Sequence, residues 1–447
     1  MCAATSAMAG SGKIRKYPDH VPDQYVVTFA DSPESPHVLA GELAHLHGAK
    51  VFAVYTVSIK GMAFVGNERA AEAISRDPRV ETVEQDSIGY VTQVPPTDPP
   101  AGPGWAKDRM DRKPLPLNGT YAPGSSNKGY GAAIYVVDTG IDQLTGTYAS
   151  EFEYTVGGVP VNRLRNLFTY AFTNGVPNYS DHNGHGTPVA TAAAGKTRGV
   201  AAGAEIVNVK ACNEQGICTS SRVLSGLEAI KTDFLTQNPV GDGYRKPAIV
   251  NFSIATKMIG VGVDQGYPAV ENSIRDMIRT GIAFCVGAGN DGLDPRFYSP
   301  ARLGQPNTHL DAIAGNDSDN PFPEHVTTVG ATSLLPPNYD QDYVMADGGN
   351  VSNIGPSIDV WAPGYQVHVI SKQSMLVTIS GTSFAAPFVS GALARYAVGN
   401  FGTLPSAAVV ASWENALIGG AAQGVIWNRA NASTNLNGGP NRLLFVF

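Results

Sequence analysis

Along the first ninety positions, hydrophobic and polar residues fall into short blocks of two kinds. Residues 24–29 (YVVTFA), 50–57, 61–66 and 80–84 carry the β-branched and aromatic side chains of strands, while apolar positions in 37–47 and 68–76 recur at helical spacing. Their order predicts a compact β-α-β-β-α-β unit over 20–92, behind a poorly defined leader, 1–19. Five prolines then crowd into 91–104 (VTQVPPTDPPAGPG), so 93–104 reads as a linker. Past residue 130 the pattern changes. Short β-branched strands at Ala132–Val137, Ala204–Lys210, Ala248–Ile254, Ile282–Ala288 and Val326–Thr332 alternate with Ala-rich helical stretches near 187–195, 220–235, 269–280 and 383–398. Near-continuous apolar strands between helices predict an α/β domain over 105–447, a mostly parallel sheet covered on both faces, with its site at the carboxyl ends of the strands.

Composition narrows the partners. Only 15% of the 447 residues are charged and the net charge is −7, with no basic stripe to neutralise a row of phosphates, so nucleic acid is excluded as a partner. No apolar run reaches the roughly 18 residues of a bilayer span, which excludes a membrane. The N-terminal MCAATSAMAGSGKIRK lacks the apolar core of a signal peptide. Cys212 and Cys218 flank Gly216 closely enough to bridge, and both a disulfide and two free thiols stay open; Cys285, inside an apolar run, reads as a small buried hydrophobe.

Four polar residues stand at these strand ends and helix starts. Asp138 closes the strand Ile134–Val137 and is followed by Thr139-Gly140, where it can orient an imidazole. His185 sits in Asn183-Gly-His-Gly-Thr187 before an Ala-rich helix, its flanking glycines permitting close approach to the ring. Ser383, in Gly381-Thr-Ser-Phe-Ala-Ala-Pro387, opens a helix whose N–H groups suit an oxyanion. Asn290, in Gly287-Ala-Gly-Asn290, offers an amide donor at the same edge. Each alone has an ordinary reading as a cap or turn residue. Together they supply nucleophile, base, orienter and oxyanion donor.

VVDTGID around Asp138, NGHGT around His185 and GTSFAAP around Ser383, in that order, resemble the three signatures of subtilisin-like serine proteases. GAGN at 287–290 resembles the segment bearing that family's oxyanion asparagine, and WAPG at 361–364 the run ahead of its serine. WAKDR at 105–109 and PNRLL at 440–444 are similar to the ends of the mature enzyme in the proteinase K branch. The resemblance implies a subtilisin-like three-layer fold and a serine endopeptidase acting through an acyl-enzyme. No cofactor is implied for the chemistry. Substrate-binding positions would be Gly216, Ser253, Ile254, Ala255, Gly287, Ala288 and Gly289.

The 20–92 unit resembles the family's inhibitor-type propeptide, a small α+β ferredoxin-like domain. It implies a zymogen whose partners are peptide or protein substrates and its own propeptide, whose tail after Asp86 fills the cleft and is cut within 89–105. By the same resemblance the protein is a monomer, secreted or vacuolar. The alternative is a latent or catalytically degenerate peptide-binding relative.

Some residues depart from the family pattern. Ser253-Ile-Ala255 stands where Ser-Leu-Gly is usual, so the Ala255 methyl is expected to narrow the first specificity pocket. Phe384 replaces the usual Met after the serine. Pro300 and Asp359 resemble a structural calcium site, beside an Asp- and Asn-rich insertion at 302–325. Asn118, Asn178, Asn251, Asn316, Asn350 and Asn431 have the glycosylation pattern, but Asn251 lies on a core strand and is expected to stay bare.

Overall fold

The computed structural model describes residues 14–91, 104–124, 126–236, 245–258, 266–304, 326–334, 341–399, 406–428 and 433–446. The linker 93–104, all but its last residue, most of the 302–325 insertion, and the sequons Asn316 and Asn431 lie outside the described residues. So does most of the leader.

The large sheet contains neighbouring parallel strands in the spatial order Val360–Pro363, Thr327–Leu334, Ile282–Gly287, Ala248–Phe252, Ala133–Asp138, Glu205–Lys210 and Leu164–Thr169. Side chains alternate along each strand, and here both sets are apolar because both faces are covered. Ile134 and Val136 pack with the helices Gly186–Ala194, Thr382–Gly399 and Ala407–Gly420. Ala133, Tyr135 and Val137 pack on the other face with Ser220–Thr236 and Pro268–Thr280. The result is the three-layer subtilisin-like arrangement. Sequence patterning missed the helix Ala407–Gly420, whose apolar residues blur into its Ala-rich surroundings, and the edge strand Leu164–Thr169, which carries Arg165 and Asn166.

The N-terminal unit has its own sheet, ordered Ile14–Arg15, Val80–Tyr90, His20–Phe29, Gly61–Val65 and Lys50–Tyr55, with helices Pro36–His47 and Glu68–Ile74 closing a separate core. Two differences from expectation stand out. Ile14 and Arg15, in the leader, pair in parallel with Val83 and Glu84. And the last strand runs to Tyr90 rather than ending at 84, because its second half leaves its own sheet and pairs antiparallel with Ile217–Thr219 of the large domain.

Buried acids fix that docking. Asp86 accepts the Ser221 N–H at 2.8 Å and the Ser221 hydroxyl at 2.6 Å, at the start of one large-domain helix. Glu84 accepts the Ala269 N–H at 2.9 Å at the start of another, and the Tyr17 hydroxyl at 2.7 Å. Each satisfies an N–H that the helix itself leaves orphaned, at the positive end of its dipole. In the opposite sense Glu228 accepts the N–H groups of Thr56, Val57 and Ser58 at 2.7–2.8 Å. Tyr17, also in the leader, is buried and stacks on Tyr267 with ring centroids 4.3 Å apart.

Candidate active site

Asp138 is the last residue of its strand, and Gly140 follows at φ +113°, where an added Cβ would stand 2.6 Å from the carbonyl oxygens of Tyr179 and Ser180. Only glycine lets the chain turn so close to that loop. The turn brings the Asp138 carboxylate under His185, whose Nδ1 lies 2.8 and 2.9 Å from Oδ1 and Oδ2. Gly186, after the histidine, packs against the same turn; a Cβ there would meet the Gly140 carbonyl oxygen and, at 3.2 Å, the Asp138 side chain. Both members of the pair are fully buried.

Asp181, which sequence reasoning did not single out, braces this pair. Its carboxylate accepts the Thr139 hydroxyl and the Gly184 N–H at 2.7 Å each and the Thr187 N–H at 2.9 Å. It thereby caps the helix that positions His185 and ties it to the loop after Asp138. An Asp four residues ahead of a histidine at a helix start was the available signal. Lys210, buried beside Asp181, Asp142 and Asp138, donates to the carbonyls of Thr139 and Ser180; burial pulls its pKa below the ordinary lysine value.

Ser383 lies in the first turn of Thr382–Gly399. Pro387, four residues on, has no N–H to give the Ser383 carbonyl. The Ser253 hydroxyl takes that place, donating to Ser383 O at 3.0 Å, and is itself held by Asn251 Nδ2 at 3.0 Å. Asn251 is fully buried, and its Oδ1 accepts the Ser390 hydroxyl. That burial agrees with the expectation that this sequon stays bare. Ser383 Oγ lies 3.5 Å from the Ser253 carbonyl, and His185 Nε2 is buried with no hydrogen-bond partner among the described residues. Phe384 packs on the His185 ring, centroids 5.4 Å apart.

Asn290 accepts the Thr382 N–H at 2.8 Å through Oδ1, which makes Nδ2 the donor end of its amide. Gly287 and Gly289 let its loop close on this helix start. A Cβ on Gly287 would stand 3.1 Å from Thr382 Oγ1, and one on Gly289, at φ +97°, 2.4 Å from Asn353 Nδ2. Ala288 is buried between them and donates its N–H to the Val329 carbonyl.

The other proposed substrate positions form two facing edges already bridged by the N-terminal unit. Tyr90 and Ala255 exchange both backbone hydrogen bonds, at 3.0 and 3.1 Å, and Val91 donates to the Gly216 carbonyl at 3.0 Å. Gly89 faces Cys218, whose disulfide to Cys212 closes the base of the 213–217 loop. Cys285 is free and buried, its thiol pKa pushed well up by burial.

Pro300 and Asp359 could offer a calcium ion one backbone carbonyl and one carboxylate. Asp359 Oδ2 accepts the Thr328 N–H at 2.7 Å, and among the described residues no group of three or more acidic, His or Cys side chains gathers to hold a metal.

Residues 129–439 match the Subtilase family. The chain is 30% identical over 408 residues to an extracellular serine proteinase of Thermus sp. (strain Rt41A), covering 85% of this chain and 81% of that protein. It is 28% identical over 376 residues to proteinase R of Parengyodontium album, covering 84% and 79%. A crystal structure of a cold adapted subtilisin-like serine proteinase matches with a TM-score of 0.54 at 28% identity, covering 77% of this chain and 98% of that one. Fervidolysin from Fervidobacterium pennivorans, at 16% identity and a TM-score of 0.60 over 98% of this chain and 63% of that one, shares the fold.

Proposed function

The chain belongs to the subtilase family of serine proteases, and from that premise we propose an endopeptidase held latent by its own N-terminal unit. Ser383 Oγ attacks the scissile carbonyl while His185 Nε2 takes its proton and later returns it to the leaving amine. Asp138 holds the proton on Nδ1 and stabilises the imidazolium. Asn290 Nδ2 and the Ser383 N–H receive the oxyanion, at about 3 kcal/mol for one such donor. No cofactor enters the reaction. Substrates lie extended as an added strand between Gly216–Cys218 and Ser253–Ala255, with the Ala255 methyl narrowing the pocket for the residue before the cut.

The observation that carries this reading is the strand 88–91. It already lies between those two edges and runs toward Ser383, so it occupies the groove a substrate needs. An occupied groove favours latency over lost activity. The disulfide suits the oxidising compartment of a secreted protein, as in the extracellular Thermus relative.

From the register we infer a maturation site. Along antiparallel strands one residue number rises as the other falls. With Tyr90 opposite Ala255, a peptide's residue two further on falls opposite Ser253, beside Ser383 Oγ. In this sequence that residue is Thr92, so the cut is expected between Thr92 and Gln93. A serine-directed phosphonylating reagent, followed by peptide mapping and N-terminal sequencing, tests both parts. Label on Ser383 in a chain beginning at Gln93 is the expected result. A chain that stays full-length and unlabelled after prolonged incubation argues against the endopeptidase.

A further inference from the structure

The strand that fills the groove carries a glycine at a position where an added Cβ would collide with its neighbours. Gly89 lies opposite Cys218 on one edge, and beside it on the other edge stand Ile254 and Thr256. A Cβ added at Gly89 would stand 2.6 Å from Thr256 Oγ1, 3.1 Å from Ile254 Cγ2 and 3.5 Å from the Ala255 carbonyl oxygen. The first separation is shorter than carbon and oxygen tolerate. Beyond those side chains, among Phe252, Tyr267 and Val270, there is a cavity of only about 20 Å³. That is room for about one water, far from enough for a benzyl or branched aliphatic group.

The obstruction is not easily moved. Thr256 is β-branched, so two of its three staggered χ1 wells put a heavy atom where Oγ1 now stands. Its backbone is held by the short antiparallel pairing of Thr256–Lys257 with Tyr298–Ser299. Ile254 is buried. The opposite edge cannot swing away, because Cys218 is tied to Cys212 by the disulfide at the base of its loop. The groove is therefore closed on both sides at this one level, while the Tyr90 side chain, one residue further on, is exposed.

We propose that Thr256 and Ile254 make this enzyme select glycine at the fourth residue before the scissile bond, so that its substrates are peptides of the form Gly-Xaa-Xaa-Xaa with the cut after the last. The proposal rests on the proteolytic reading above and on its register, in which Gly89 is fourth from the Thr92–Gln93 bond. It names a substrate class. Large apolar residues at that position are excluded by the wall, and alanine is disfavoured because its Cβ is the atom that collides.

The test uses the full chain, taken after its turnover has become constant, and two internally quenched peptides copying residues 86–96. One keeps glycine at the position of Gly89 and the other has phenylalanine there; mass spectrometry identifies the bond cut. Wild type is expected to favour the glycine peptide in kcat/KM by at least about tenfold. Thr256→Ala and Thr256→Ser, each able to clear the Oγ1 position, should reduce that ratio severalfold. Thr256→Val, which keeps two heavy atoms on Cβ, should retain it. Equal or faster cutting of the phenylalanine peptide by wild type overturns the proposal alone, as does a ratio unmoved in both Thr256→Ala and Thr256→Ser. Cutting at another bond overturns the register it rests on. Cutting of neither peptide overturns the protease reading with it.

Discussion

Replacing Ser383 by Ala is expected to lower peptide hydrolysis by about 10⁴- to 10⁶-fold and to leave the chain full-length, because the same hydroxyl would perform both hydrolysis and maturation. The fold should persist. The Ser253 hydroxyl bonds the backbone carbonyl of Ser383, which alanine retains, and the Asn290–Thr382 contact does not involve the serine side chain. The expected product is thus a folded protein of unprocessed mass whose cooperative melting lies within about 5 °C of wild type. Turnover kinetics, intact mass and thermal denaturation check the three parts together. Hydrolysis near the wild-type rate would remove Ser383 from the mechanism, whereas an unfolded variant would indict the packing at the helix start instead.

Association of the released N-terminal unit with the mature enzyme is expected to weaken as pH rises from 5 to 8, by on the order of a thousandfold. Burial pushes the Glu84 carboxyl up to about 7 and Asp86 up to about 6, and the N–H and hydroxyl donors of Ala269, Tyr17 and Ser221 oppose that shift without cancelling it. Once the unit leaves, both groups return to water and to ordinary values near 4. An acid with a higher pKa in the complex takes up a proton on binding. Its contribution to association is therefore fully present below about pH 4, is lost as pH climbs toward 6 and 7, and is constant above that. Fluorescence anisotropy of the unit against Ser383→Ala enzyme lacking residues 1–92 measures this without interference from catalysis. Glu84→Gln with Asp86→Asn should flatten the profile; a wild-type affinity that is flat or rises with pH contradicts the assignment.

Much of this architecture was legible because apolar runs a strand long, separated by helical stretches, leave few ways to arrange a sheet covered on both faces. The candidate catalytic positions were legible for a related reason: glycines near Asp138 and His185 mark close backbone approach, and at Gly140 and Gly186 a Cβ would collide. What escaped was non-local. Nothing near residue 86 says that its carboxylate will cap a helix beginning at Ser220, and nothing after residue 84 distinguishes a strand that changes sheets from one that ends. Tyr17 looks like part of an unstructured leader until Tyr267 is placed beside it. Asp181 escaped because a capping acid looks the same whether it supports an ordinary helix or one bearing a candidate catalytic histidine. The bridged state of Cys212 and Cys218 needed the two chain segments side by side.

The hydrogen bond from Ser253 to the Ser383 carbonyl has a mechanical consequence. The segment Ser253–Ala255 and the helix that carries Ser383 are latched at the place where Pro387 offers no N–H, so a displacement of either drags the other. In the proposed mechanism, breathing of the groove would then be a common-mode motion: peptide and hydroxyl would drift together, and the gap between attacking oxygen and scissile carbon would fluctuate less than either part alone. Reactions of this kind are sensitive to errors of an ångström in that gap. The latch lets the enzyme keep a tight tolerance at the reacting atoms while the surface around them stays compliant.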